Sequence, residues 1–169
     1  MKRYRAILAL IATLSLLAGT VETTSAHSVY TWTETYASDT NCTKGYAEIS
    51  HGTQDSGYSR VEVESRYRWE TPQGGYDCYS QWSRSAWQIR AKYTLLKKID
   101  GTEDWAWCVN SEWYYNQSTM WAFAIEAWHG ENYTPPCGHG DYATSGGAFV
   151  QNGGTWYGDY VWAGQHWLP

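Results

Sequence analysis

Polar and apolar residues alternate along most of this chain. Over residues 58–71, Val61, Val63, Ser65, Tyr67 and Trp69 fall on one side of an extended backbone, and Arg60, Glu62, Glu64, Arg66 and Arg68 on the other. Successive side chains of a strand point to opposite faces, so the pattern predicts a strand with one buried and one charged face. Residues 79–97 repeat it: Trp87, Ile89, Ala91, Tyr93 and Leu95 alternate with Gln88, Arg90, Lys92 and Thr94. Pro72-Gln73-Gly74-Gly75 between them has turn chemistry. The two stretches are therefore expected to form one long antiparallel hairpin.

Shorter strands are predicted over residues 28–35, 46–50, 105–110 and 112–115. Residues 119–128 are apolar on both faces, with Trp121, Phe123 and Ile125 on one and Met120, Ala122 and Ala124 on the other. They read as a central strand covered on both sides, or as a helix. Residues 149–151 and 156–162 flank Asn152-Gly153-Gly154, a strong hairpin signal, and Gly158 is read as a bulge. Residues 39–44, 51–57 and 130–146 read as loops. Eight to ten short strands, with turn signals and no repeat or linker, predict an all-β, single-domain antiparallel β-sandwich or barrel.

The N-terminus does not fit that alternation. Lys2, Arg3 and Arg5 form a basic head, residues 6–17 are small and apolar, and Thr24-Ser25-Ala26 follows. That is the order of a secretory signal peptide, residues 1–26, cut after Ala26. The apolar run is too short for a bilayer, which takes about 20 such residues. Residues 27–169 are then a secreted, extracellular β domain with no membrane span. Cleavage moves the formal net charge from −5 to −7. An acidic chain without a basic tract argues against nucleic acid as a partner. Cys42, Cys78, Cys108 and Cys137 all follow the leader. An even count in an exported chain reads as two disulfides with three possible pairings. Cys42–Cys78 and Cys108–Cys137 are favoured because each staples a local unit. Without a CxxC pair, a four-thiolate zinc site is the poorer reading.

Composition adds one unusual number. The chain has 12 Trp and 15 Tyr against 2 Phe. Trp and Tyr carry a polar atom and suit half-wet positions. Twelve Trp exceed what a core of this size needs, and exposed rings are what sugar-binding faces and protein interfaces use. Trp and Tyr also favour strands and can serve packing alone. The aromatic-dense patches are Trp105, Trp107, Trp113, Tyr114, Tyr115, Trp156 and Tyr157. They point to a non-catalytic binding or surface-interaction module with a glycan or cell-surface component as partner.

Two other chemistries compete. A chain starting at His27 could bind copper through its α-amine and imidazole, since nitrogen donors suit square-planar Cu(II). The second ligand would be His51, His129, His139 or His166. His129 and His139 also share a Gly- and Pro-rich stretch with Glu131 and Asp141, at a spacing that matches no standard metal pattern. Apart from copper, no cofactor is implied. A small glycoside hydrolase would need two carboxylates roughly 5–10 Å apart. Glu48, Glu70, Asp104, Glu112, Glu126 and Asp159 are the candidates. Glu126 interrupts an apolar stretch and is expected to be partly buried with a raised pKa. There is no G-x-S-x-G elbow or phosphate loop, and paired cysteines leave no thiol nucleophile. Asn41, Asn116 and Asn132 begin glycosylation sequons.

Overall fold

The computed structural model describes residues 28–36, 40–52, 57–130 and 134–169. The stretch expected to be a leader, residues 1–26, and His27, Glu131 and the sequon residue Asn132 lie outside the described residues. Within them the alternation becomes strands β1 (Ser28–Tyr36), β2 (Asn41–His51), β3 (Gly57–Glu70), β4 (Tyr76–Gln81), β5 (Ile89–Lys98), β6 (Trp105–Asn110), β7 (Tyr114–Tyr115), β8 (Ala122–His129), β9 (Gly140–Asn152) and β10 (Thr155–Leu168). They form two antiparallel sheets. The first runs β1-β2-β3, with the far edge of β3 shared by β8 and β4. The second runs β10-β9-β5, with the far edge of β5 shared by β7 and β6. The sheets stack with β1 and β2 against β10 and β9, and β3 against β9 and β5. The result is an open all-β sandwich, not a closed barrel.

The inward positions of each strand make the core. β2 contributes Ala47 and Ile49, β3 Val61 and Val63, and β5 Ile89, Ala91 and Leu95. β9 contributes Tyr142, Ala148 and Val150, and β10 Val161, Ala163 and Leu168. This core is aliphatic. Among the described residues, Tyr142 is the one aromatic side chain that is fully buried, and none of the 12 tryptophans is buried. Burying aliphatic side chains stabilises the fold by roughly 25 cal/mol per Å² of apolar surface removed from water. The indole rings lie outside that core.

Polar side chains cross-link the layers. Ser59 and Thr144 hydroxyls meet at 2.6 Å, and Thr43 Oγ1 donates to the Tyr157 carbonyl at 3.1 Å. Arg84 is buried, and its guanidinium donates to Ser65 Oγ (2.9 Å), Asn41 Oδ1 (2.7 Å) and Asn152 Oδ1 (3.3 Å). It also stacks 3.6 Å from the Trp82 ring centroid. Burial holds its pKa below the ordinary arginine value. Among the described residues no carboxylate pairs with it, so neutral acceptors replace its lost hydration. Asn41 is thereby committed to the fold. So is the fully buried Asn116, which accepts from the Ile89 amide and donates to the Ser85 and Ser118 carbonyls. These two sequons are structural.

Both favoured disulfides form. Cys42–Cys78 ties β2 to β4 with Cα atoms 5.5 Å apart, and Cys108–Cys137 ties β6 to the segment before β9 at 5.9 Å. Paired cysteines of this kind are typical of extracellular proteins.

Several local expectations are corrected. The turn at residues 72–75 is real, but the strand it returns is β4 alone. The buried Arg84 and the left-handed backbone of Trp87 (φ 67°) interrupt the supposed long strand, and β5 crosses to the other sheet. The segment at residues 119–128 is neither helical nor central. It contains β8, which among the described residues pairs only with β3 and leaves Ala124 and Glu126 exposed. Asn41–Lys44 belongs to β2, and residues 140–146 belong to β9. The Asn152–Thr155 hairpin is as expected: Gly153 and Gly154 have φ of 56° and 84°, the conformation a two-residue turn requires. Gly158 is not a bulge. Its register is continuous, and glycine is needed because a Cβ would collide with the Ala148 carbonyl. The irregularity falls instead between Gly164 and His166.

Candidate aromatic binding face

The outer face of the second sheet is built by alternation and register. On β5, Arg90, Lys92, Thr94 and Leu96 point away from the core. Phe149, Gly147, Ser145 and Ala143 of β9 lie opposite them in that order. β10 adds Trp156, Tyr160 and Trp162, with Tyr160 opposite Gly147 and Trp162 opposite Ser145. From the other edge, Tyr115 lies opposite Arg90, Asn110 opposite Thr94, Trp107 opposite Leu96 and Trp105 opposite Lys98. The middle strand is lined with small residues, so rings from both edges lean over it. Trp105 and Trp162 meet edge to face at 5.1 Å.

Rings and cations interleave here. The Arg90 guanidinium sits 4.3 Å from the Trp113 ring centroid, 4.2 Å from Trp156 and 5.3 Å from Phe149. Stacking of this kind holds a planar cation against aromatic faces. Trp113 contacts Phe149 and Tyr160, and Tyr115 contacts Trp156 and Trp87. Trp87 occupies a backbone conformation rare for an aromatic residue. Beside this cluster lies a depression of about 340 Å³ lined by Lys92, Thr94, Leu96, Trp107, Asn110, Ser145 and Tyr160. Its volume is at the low end of the ~300–1,000 Å³ of small-ligand sites. Trp107, 82% exposed, is shared with a second depression of about 250 Å³ that includes Lys97, Lys98 and Ala106.

The opposite outer face, on the first sheet, has different chemistry. Three of its cations are ion-paired: Lys44 with Glu34, Arg60 with Glu62 and Glu126, and Arg66 with Glu64; Lys44, Arg66 and Arg68 also lie over the Trp32, Trp121 and Tyr76 rings. Hydrogen bonding to Glu62 holds the Arg60 pKa above its usual value. Burial and Glu48 raise the Tyr46 hydroxyl pKa. Glu126 is on this face, with its side chain 53% exposed, so the expected partial burial is corrected. Glu48 lies in the same lattice, opposite Arg60. Glu70, Glu112 and Asp159 are exposed elsewhere, and Asp104 lies just before β6.

Three histidines gather at one end of the core. His129 is 4% exposed, hydrogen-bonds Ser59 Oγ at 2.9 Å and meets the Tyr93 ring edge-on. Burial pushes its pKa down to about 4. His51 and His166 stack at 5.1 Å, and His51 hydrogen-bonds the Gly52 carbonyl. His139 is exposed in the segment before β9. Among the described residues, no group of three or more His, Cys, Asp or Glu side chains is arranged to hold a metal.

Of the residues singled out from sequence, Trp105, Trp107, Trp113, Tyr115 and Trp156 come together on the outer face of the second sheet. Tyr114 and Tyr157 do not. Each lies opposite a core residue, Ala91 and Val150, and so on the inward side of its strand. Arg90, Lys92, Thr94, Asn110, Ser145 and Tyr160 were missed as site residues. Alternation already placed Arg90, Lys92 and Thr94 on a polar face; which strands flank β5 was not legible. Comparisons with family models, curated proteins and solved structures found no match to this chain.

Proposed function

We propose that this protein is a non-catalytic carbohydrate-binding module whose ligand lies across the outer face of the second sheet. The observation that carries the reading is the exclusion of every tryptophan from the core, with a group of them beside a depression lined by Thr94, Asn110 and Ser145. Indole and phenol faces stack on the apolar faces of pyranose rings, while hydroxyls and amides hold the sugar hydroxyls. A secreted location fits both the leader and the two disulfides. The test is binding to a panel of polysaccharides by calorimetry and affinity electrophoresis. Trp107→Ala and Tyr160→Ala are expected to weaken binding at least tenfold, or about 1.4 kcal/mol each, with unchanged far-UV circular dichroism. A chain that ignores every glycan, or variants that bind as well as wild type, would overturn it.

One observation favours copper as a second reading. Ser28 lies opposite Ser50, so the residues that precede and follow this pair in sequence are His27 and His51. His51 in turn stacks on His166. Imidazole and α-amine nitrogens, the ligand type a chain cut before His27 would offer, suit Cu(II). A chain beginning at His27 should bind one Cu(II), and an added N-terminal residue or His51→Ala should abolish that binding. Equal binding by all three proteins would remove the reading. No comparable observation favours a carboxylate-pair hydrolase.

A further inference from the structure

We propose that the ligand of the aromatic face is an anionic polysaccharide, its carboxylate or sulfate group held by Lys92; this rests on the carbohydrate reading above. The seven residues around the larger depression comprise hydroxyls, an amide, apolar side chains and one charge, which is the Lys92 ammonium. Among the described residues no carboxylate lines it. That is unexpected for a chain in which 17 acidic residues outnumber 12 basic ones. It also contrasts with the other outer face, where Lys44, Arg60 and Arg66 each meet a glutamate. Among the described residues neither Arg90 nor Lys92 forms an ion pair. Both are held by rings instead, with Lys92 Nζ 5.6 Å from the Trp113 ring centroid.

The two cations have different tasks. Arg90 is clamped between Trp113 and Trp156 and acts as a fixed positive charge beneath the face. Lys92 borders the depression on a flexible stem and can reach a bound anion. Its reach depends on Gly147, where a Cβ would come within 3.0 Å of Lys92 Cγ. Uncompensated cations beside ring surfaces attract an anion more strongly than they would in open water. A polymer is implied because Trp107 is a ridge between two depressions, of which the second carries Asp100 and a Lys98 already paired with Glu103. Successive sugars would straddle the Trp107 ring, with the acidic group on the Lys92 side.

The test compares polymers that share a backbone and differ in charge: polygalacturonate against its methyl ester, and dextran sulfate against dextran. Affinity electrophoresis of the mature protein should show at least tenfold tighter binding to one charged member than to its neutral partner. That preference should fall when NaCl is raised from 0.05 to 0.5 M, because screening shortens electrostatic reach. Lys92→Gln should remove most of it, while Lys44→Gln on the opposite face should not. Preference for polygalacturonate identifies a carboxylate ligand, and preference for dextran sulfate a sulfate. Equal binding to charged and neutral partners overturns this inference and leaves the carbohydrate reading standing. A charge preference that survives Lys92→Gln, or tighter binding to a single-stranded oligonucleotide, overturns the assignment of the site. If no polymer binds, both readings fall.

Discussion

His129 is the residue whose burial has the clearest consequence for stability. It closes β8 on the inward side, where it bonds Ser59, which in turn bonds Thr144, and meets the Tyr93 ring. In the folded chain it stays neutral to about pH 4, whereas in the unfolded chain it takes a proton near 6.5. Between those values the unfolded state binds more protons, so stability falls as pH drops through the window and this group adds no further loss below it. The whole effect is worth about 3 kcal/mol. His129→Gln keeps an amide for Ser59 but cannot titrate. Urea midpoints of wild type and variant at pH 7 and pH 4.5 should differ in slope, with the variant nearly flat. An unchanged slope would place the acid sensitivity elsewhere.

At the scale of the element, β9 is the strand on which both faces depend. Its small outward residues let rings lie across it, and its inward ones let the layers approach. Two adjacent glycines separate these roles. A Cβ at Gly146 would meet Val61 Cγ2 at 2.8 Å and Ala47 Cβ at 3.2 Å, inside the core. A Cβ at Gly147 would meet Trp113 Cη2 at 2.8 Å and Tyr160 Cε1 at 3.1 Å, on the binding face. The same substitution should therefore have opposite outcomes. Gly146→Ala is expected to cost about 1–3 kcal/mol of stability through overpacking and leave ligand affinity intact. Gly147→Ala should change stability less, because the half-buried Trp113 ring and the exposed Tyr160 ring lie outside the core and can shift, but weaken glycan binding several-fold. Denaturation and binding measured on both proteins check the pair; a large stability loss in Gly147→Ala would show that the rings on this face cannot give way. The glycines also explain why the residues before 146 read as a loop. Composition shows permissive backbone, and only the neighbours show why glycine is needed.

For the whole molecule, the two outer faces divide the chemistry. Both carry rings, but one pairs Lys44, Arg60 and Arg66 with glutamates while the other holds Arg90 and Lys92 against rings without an ion pair among the described residues, and the aliphatic core holds them back to back. The disulfides secure the ends of this arrangement. Cys108 follows Trp107 directly, so its bond to Cys137 anchors the ridge of the binding face. Replacing Cys108 and Cys137 together by alanine should lower the unfolding free energy by about 3–4 kcal/mol, as expected for a closed loop of this length. It should also weaken glycan binding at temperatures where the fold persists. Loss of stability without loss of affinity would mean that β6 holds Trp107 unaided.

The amino-acid pattern by itself determined the class of the fold, the approximate position of most strands, the Asn152-Gly153-Gly154 hairpin and the wealth of indole rings. These properties are local: alternation, turn chemistry and composition act within a few residues and need no knowledge of neighbours. The disulfide pairing was favoured on locality alone and was decided by the fold. Tertiary structure alone decided that β5 leaves the hairpin for the second sheet, and that the rings lie outside the core. It also decided that Arg90 and Lys92 meet rings without an ion-pair partner among the described residues, whereas Arg66 meets both Glu64 and the Trp121 ring. Each of these depends on which strand lies beside which, set by sheet register and by buried clamps such as Arg84. A period of two specifies a face but not its partner.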